Sequence, residues 1–83
     1  MNSKLIDIIV KISDNTINKD QITENNFLIE DFNFDSLKLM LLVLEIEEMF
    51  NVEMQEEDLD IDKLNNLLEL NKLIEKYENK QNK

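Results

Sequence analysis

The chain has 83 residues, with 19 acidic residues against 9 lysines, and it contains no arginine, histidine, cysteine, glycine or proline. This length suffices for one domain with one modest core. Without histidine the chain lacks the commonest general base near neutral pH, and without cysteine it has no thiol nucleophile, thiolate metal ligand or disulfide. Composition therefore argues against an enzyme, and we expect neither catalytic residues nor a metal site.

The net charge of −10 repels phosphate backbones and anionic membranes, so we expect no nucleic-acid partner. It attracts proteins with basic patches, although solubility alone is a sufficient reason for it. The sequence has no apolar run long enough to span a membrane. The N-terminal stretch carries Asp7 and no small-residue cleavage site, which argues against a signal peptide. We therefore expect a cytoplasmic protein. The initial Met1 and the polar tail ENKQNK lead us to expect a complete small protein, and we also expect a monomer.

The first predicted helix covers residues 4–13, with Leu5, Ile8, Ile9 and Ile12 on one face and Ser3 as its N-cap. Residues 14–35 show no sustained period and predict a long loop, which in a compact domain usually has a functional reason. Isolated apolar residues are expected to pin this loop onto the core: Ile17, Ile22, Phe27, Leu28, Ile29 and Phe32.

The second helix is predicted from Ser36 to about Phe50, with Asp35 as N-cap and Asn51 as its stop. At 100° per residue, one face is the predicted core face: Leu39, Leu42, Val43, Ile46, Met49 and Phe50. The roughly opposite face carries Leu37, Met40, Leu41 and Leu44, followed by Glu47 and Glu48. A central, fully buried helix would also be apolar all round. Because the second face continues in Glu47 and Glu48 and not in further apolar residues, we favour an exposed patch that binds a partner or ligand.

Residues 52–62 are acidic and irregular, with one helical turn expected near residues 56–59. Asn65 or Asn66 then caps a last helix from Leu67 to about Tyr77. These elements predict an all-α fold, a small four-helix bundle of three main helices plus one short helix, with a long first loop. We expect a single domain over residues 1–83, with an ordered core at about 3–78 and a polar tail at 79–83.

Ser36 stands in the first turn of the second helix, directly after the long loop. By base rates such a serine simply starts a helix. Nothing in the chain can activate it as a nucleophile, since there is no histidine to take its proton. Any chemistry at Ser36 must therefore be performed by another protein.

The segment DFNFDSLKLMLLVLEIEEMFNVEM, residues 31–54, resembles the attachment region of the acyl carrier protein family, in which Asp-Ser-Leu starts a helix that ends in Glu-Glu-x-Phe. NNFLIEDF upstream and LNNLLELNKLIEKY downstream resemble the flanking parts of that family, so the resemblance covers about residues 4–78. Asp-Ser-Leu alone is a weak signal, but the three segments together are specific.

The resemblance implies that a 4′-phosphopantetheine arm is attached covalently to Ser36 by a magnesium-dependent phosphopantetheinyl transferase, and that acyl groups ride on the arm as thioesters. Asp35 would cap the helix beside the serine. The docking face would be Leu37, Met40, Leu41, Leu44, Glu47 and Glu48. The partners implied are this transferase, an acyl- or aminoacyl-loading ligase, and synthase or transferase enzymes with basic docking patches.

Several positions depart from the family pattern. Asn33 replaces a glycine, Phe34 is bulkier than usual and would bias which transferase fits, and Gln55 replaces a proline. Lys38 and Leu41 stand where fatty-acid carriers are acidic. The pathway therefore stays open among fatty acid, polyketide and related biosynthesis, and an aminoacyl or peptidyl carrier of a nonribosomal-type pathway is an alternative.

Two other interpretations compete with a carrier. Asp58, Asp60, Asp62 and Glu69 echo the spacing of a calcium-binding loop, but Lys63 occupies the position that requires glycine, so we interpret the match as false. A small acidic helical adaptor without a prosthetic group would also explain the charge and the apolar stripe, but not Asp-Ser-Leu after a long loop.

Overall fold

The computed structural model describes residues 1–81, and these form five α-helices: α1 (Ser3–Ile12), α2 (Leu28–Phe32), α3 (Ser36–Phe50), α4 (Ile61–Asn65) and α5 (Leu67–Gln81). Short 3₁₀ turns lie at Lys19–Gln21 and Glu56–Asp58. The three long helices α1, α3 and α5 pack around one core, and α4 packs against α5 and α3. The prediction of a small all-α bundle is confirmed.

The buried core draws on every part of this bundle and includes Leu5, Ile8, Ile9, Ile17, Ile22, Leu28, Phe34, Leu39, Leu42, Ile46, Phe50, Met54, Leu64, Leu67, Leu70, Ile74 and Tyr77. Most of the predicted core face of α3 is buried, but Met49 is 46% exposed, so its assignment to the core was wrong. Met49 lies at the edge of the buried face of α3, one turn after the partly exposed Glu45. At this edge the neighbouring helices no longer cover α3.

The first connection is more regular than predicted, because it contains α2. A five-residue helix is too short to show a period, so the sequence pattern could not reveal it. Two hydrogen bonds fix it: Phe27 N–H donates to the Asp31 carboxylate at 2.7 Å, and Ile29 N–H donates to Asn65 Oδ1 at 2.7 Å. Phe27 and Ile29 are exposed, so the expectation that their side chains pin the loop was wrong.

Polar side chains cap the helix ends. Asn2, not the predicted Ser3, caps α1, since its Oδ1 accepts from the backbone N–H groups of Lys4 and Leu5 at 2.9 and 3.2 Å. Asn66 caps α5 by accepting from Leu68 and Glu69 at 3.0 and 3.3 Å.

The C-terminal third differs from the prediction in two ways. The acidic segment ends in the short helix α4, which Asp60 caps by accepting from the N–H of Asp62 at 2.8 Å. Helix α5 continues to Gln81, beyond the predicted end near Tyr77, because residues 78–81 contain no glycine or proline to end it. The last two residues of the predicted tail lie outside the described residues.

Candidate functional site at the start of helix α3

The three residues before Ser36 each have a defined conformation or contact. Asn33 ends α2 with φ 58°, in the left-handed region that its short polar side chain tolerates. The Phe34 side chain is only 2% exposed, so its bulk fills the core and is not presented to a partner, contrary to the sequence-based expectation. Asp35 then caps α3 as predicted, because its carboxylate accepts from Lys38 N–H at 2.9 Å.

Ser36 is exposed as the first residue of α3. Among the side chains of residues 1–80 no hydrogen bond engages its hydroxyl, and the chain has no histidine to activate it. The hydroxyl is thus presented to solvent by a rigid helix whose first turn is already capped by Asp35. This geometry suits a modification that another protein carries out.

An apolar groove of ≈ 180 Å³ opens beside Ser36, between α3 and the α4 region. Its lining is Ser36, Leu39, Met40, Val43, Leu59, Ile61 and Leu64. Apart from Ser36 every lining side chain is apolar, so the groove excludes water from an aliphatic chain but offers no partner for a charge. The Ser36 hydroxyl therefore stands at the edge of a surface suited to an apolar group.

The apolar stripe of α3 is exposed as predicted: Leu37, Met40, Leu41 and Leu44 are 66%, 62%, 43% and 57% exposed. The loop residues Leu28, Ile29 and Phe32 do not cover it. Met40 belongs both to the stripe and to the groove, so the two surfaces are continuous around Ser36. The structure therefore brings Ser36 and these four predicted residues together.

The two glutamates of the predicted docking face differ in position. Glu48 is exposed, whereas Glu47 is half-buried and its carboxylate accepts from Met54 N–H at 2.8 Å. One oxygen of Glu47 is thus committed to holding the loop that follows α3.

Sequence reasoning missed Leu59 and Ile61, which are exposed and form the α4 side of the groove. The sequence did hold a signal for them, because they are apolar residues alternating with acids in an otherwise polar segment.

The neighbouring carboxylates do not gather into a metal site: within residues 1–81 no group of three or more acidic side chains could hold an ion. Among the same residues, no helix is both long and apolar enough to cross a membrane.

Comparison with known proteins identifies the class. Residues 3–71 match the family described as "Phosphopantetheine attachment site". The chain is similar to an acyl carrier protein of Brachyspira hyodysenteriae, with 33% identity over 76 residues that cover 88% of this chain and 95% of the relative. It is also similar to an acyl carrier protein of Chlamydia caviae, with 43% identity over 42 residues; this match covers 51% of the chain and only about half, 54%, of that relative. No solved structure matches the chain significantly.

The helical bundle, the exposed serine and these matches define a carrier protein that bears a prosthetic group, and not an enzyme. The chain belongs to the family of phosphopantetheine-binding carrier proteins, and its cofactor is phosphopantetheine.

Proposed function

We propose that Ser36 is the attachment residue for 4′-phosphopantetheine and that the chain carries acyl intermediates of fatty acid, polyketide or related biosynthesis. The bound group supplies a flexible arm with a terminal thiol that holds the acyl cargo as a thioester. The observation that carries the proposal is the exposed Ser36 hydroxyl at the capped start of α3, beside an apolar groove. The names of the relatives, acyl carrier proteins, agree with it.

The chain's own residues have separable roles in this proposal. Asp35 holds the first turn of α3 and so fixes the backbone from which the Ser36 hydroxyl projects. Leu37, Met40, Leu41 and Leu44 form the apolar part of the docking face for partner enzymes, and the exposed Glu48 adds charge at its far end. Glu47 contributes mainly by holding the following loop.

The groove favours an acyl cargo over an aminoacyl or peptidyl one. An aminoacyl group carries an ammonium, which would lose hydration in the groove without gaining a carboxylate or carbonyl partner. An aliphatic acyl chain loses only unfavourable contact with water. The aminoacyl or peptidyl carrier is therefore the second candidate.

The proposed partners are a phosphopantetheinyl transferase, a loading ligase, and synthase or transferase enzymes that dock on the α3 stripe. We propose that the chain acts as a monomer, because copies with a net charge of −10 repel one another. A cytoplasmic location stays a prediction from the sequence.

Intact mass after incubation with coenzyme A, Mg²⁺ and a promiscuous transferase tests the attachment. We expect the wild type to gain the mass of one phosphopantetheine group and Ser36→Ala to gain nothing. Ser3→Ala is the matched control, since Ser3 is also an exposed first residue of a helix that a preceding side chain caps. It should be modified like the wild type.

An unmodified wild type would favour the adaptor without a prosthetic group. Modification that survives Ser36→Ala would instead place the group on another residue and reject the assignment of Ser36. Loading assays then separate the cargoes. A holo-protein that accepts aminoacyl groups in preference to acyl groups of similar size would favour the second candidate.

A further inference from the structure

Lys38 is an unusual residue at the start of α3. It is the one basic residue in this helix, whose sequence is SLKLMLLVLEIEEMF, and it lies in the first turn at the third helical position. The helix dipole disfavours a cation there, and an acid at this position would complete a capping box with Asp35. The helix dipole and the capping pattern therefore do not account for Lys38.

The charge of Lys38 is held in place by an aromatic ring. Its ammonium lies 5.7 Å from the centroid of the Phe34 ring, which is a fixed platform because Phe34 is buried. The side chain is half-buried, so it samples fewer positions than a free surface lysine.

The Lys38 ammonium also has no ion-pair partner among the described residues. The Asp35 carboxylate accepts from the backbone N–H of Lys38, and Glu45 pairs with Lys11 at 2.9 Å. None of the ion pairs formed among residues 1–81 includes Lys38.

Lys38 lines a groove of ≈ 310 Å³ between the end of α1 and the first turns of α3, together with the docking residues Leu37 and Leu41. The other charged residues that line this groove are Lys11, Asp14, Asp35 and Glu45. An enzyme that covers Ser36 and the stripe must therefore meet its ammonium. We infer that Lys38 is a specificity-determining residue, which favours partner enzymes that place a carboxylate opposite it and disfavours enzymes with a basic rim at that place. This inference rests on the proposed function.

The test reverses charge on both proteins and compares the four combinations. One transferase has basic residues around its carrier-docking site. The second is the same enzyme with the basic residue nearest to Lys38 of the docked carrier replaced by glutamate. The readout is kcat/KM for modification of Ser36. Lys38→Glu should raise kcat/KM with the basic rim by roughly two- to fivefold and lower it with the acidic rim by a similar factor. Lys38→Gln should fall between, and high salt should shrink both effects.

Lys76→Glu is the matched control. It changes the net charge by the same amount, but it lies on α5, and no described α5 residue lines either groove at the start of α3. Its kcat/KM should stay within error of the wild type.

Unchanged kcat/KM in Lys38→Glu, or an equal gain in Lys76→Glu, would overturn the inference, because the effect would then be absent or due to net charge. Absence of modification in every variant, wild type included, would instead reject the proposed function.

Discussion

Individual polar residues set the boundaries of α3. Asp35 and Asn51 could be predicted from sequence because each acts through local chemistry: a carboxylate that caps a free N–H, and an asparagine that takes a left-handed conformation at φ 51°. The N-terminus of α1 was predicted one residue late. Asn2 and Ser3 are adjacent and both are good caps, so only the structure shows which of them accepts the hydrogen bonds.

Removing the cap of α3 should destabilise the protein without unfolding it. Asp35→Ala leaves the Lys38 N–H without its acceptor, so we expect a loss of about 1 kcal/mol in the free energy of unfolding, measured by urea denaturation. Asp35→Asn keeps an oxygen acceptor and should lose much less. Equal losses in both variants would show that the negative charge, and not the cap, stabilises this turn.

At the scale of elements, the long helices and the helical turn near residues 56–59 could be predicted, whereas the short helices α2 and α4 could not. Helices α1, α3 and α5 span enough turns for their apolar spacing to show, whereas α2 and α4 have five residues each. Their positions depend on long-range hydrogen bonds such as the one from Ile29 N–H to Asn65 Oδ1. Such partners lie far apart in sequence, and spacing carries no information about them.

The same substitution should leave the protein folded on one face of α3 and unfold it on the other. Leu41 is exposed and Leu42 is fully buried, although they are adjacent. We expect Leu41→Glu to keep the cooperative thermal transition, within about 0.5 kcal/mol of the wild type, and to weaken transfer by partner enzymes. Leu42→Glu buries a carboxylate without a partner and should abolish the transition seen by circular dichroism. Unfolding of Leu41→Glu would show that the stripe belongs to the core.

The contact between the second 3₁₀ turn and α5 should make stability fall in alkaline solution. Burial, and then the nearby Asp58 carboxylate, raise the pKa of Tyr77 above its usual 10.0. Because the folded state keeps this proton longer than the unfolded chain, its contribution is complete below pH 10.0 and is lost as the pH rises towards the folded pKa.

Tyr77→Phe removes the titrating hydroxyl and keeps the buried ring. Its free energy of unfolding should therefore fall less steeply than that of the wild type as the pH rises above 10.0. All other side chains are common to both proteins, so their contributions cancel in the comparison. Parallel curves would contradict the assigned cause.

For the whole molecule, the helical spacing predicted the fold class. Composition argued against an enzyme, and the family match agrees with that. Neither showed how the charges are distributed. The excess of acids is spread over a body of only 34 × 24 × 21 Å. At about 0.01 M salt the screening length is roughly 30 Å, so charges across the whole molecule repel one another; at about 0.15 M it falls to roughly 8 Å. Repulsion therefore opposes the compact state most strongly at low salt.

We expect the thermal midpoint to rise by several degrees between these two salt concentrations at constant pH, measured by scanning calorimetry. Salt also weakens the surface ion pairs, such as Lys4–Glu78 at 3.1 Å, but exposed pairs contribute little. A midpoint that falls with added salt would show that local attractions outweigh the general repulsion.

The most direct test of phosphopantetheine attachment at Ser36 is mass spectrometry of the protein purified from its native host. Cleavage after lysine releases residues 20–38, a peptide whose only serine is Ser36 and whose only other hydroxyl residue is Thr23. We predict that this peptide carries one phosphopantetheine group on Ser36, free or acylated. An unmodified Ser36 throughout the population, or a group attached elsewhere, would contradict the assignment.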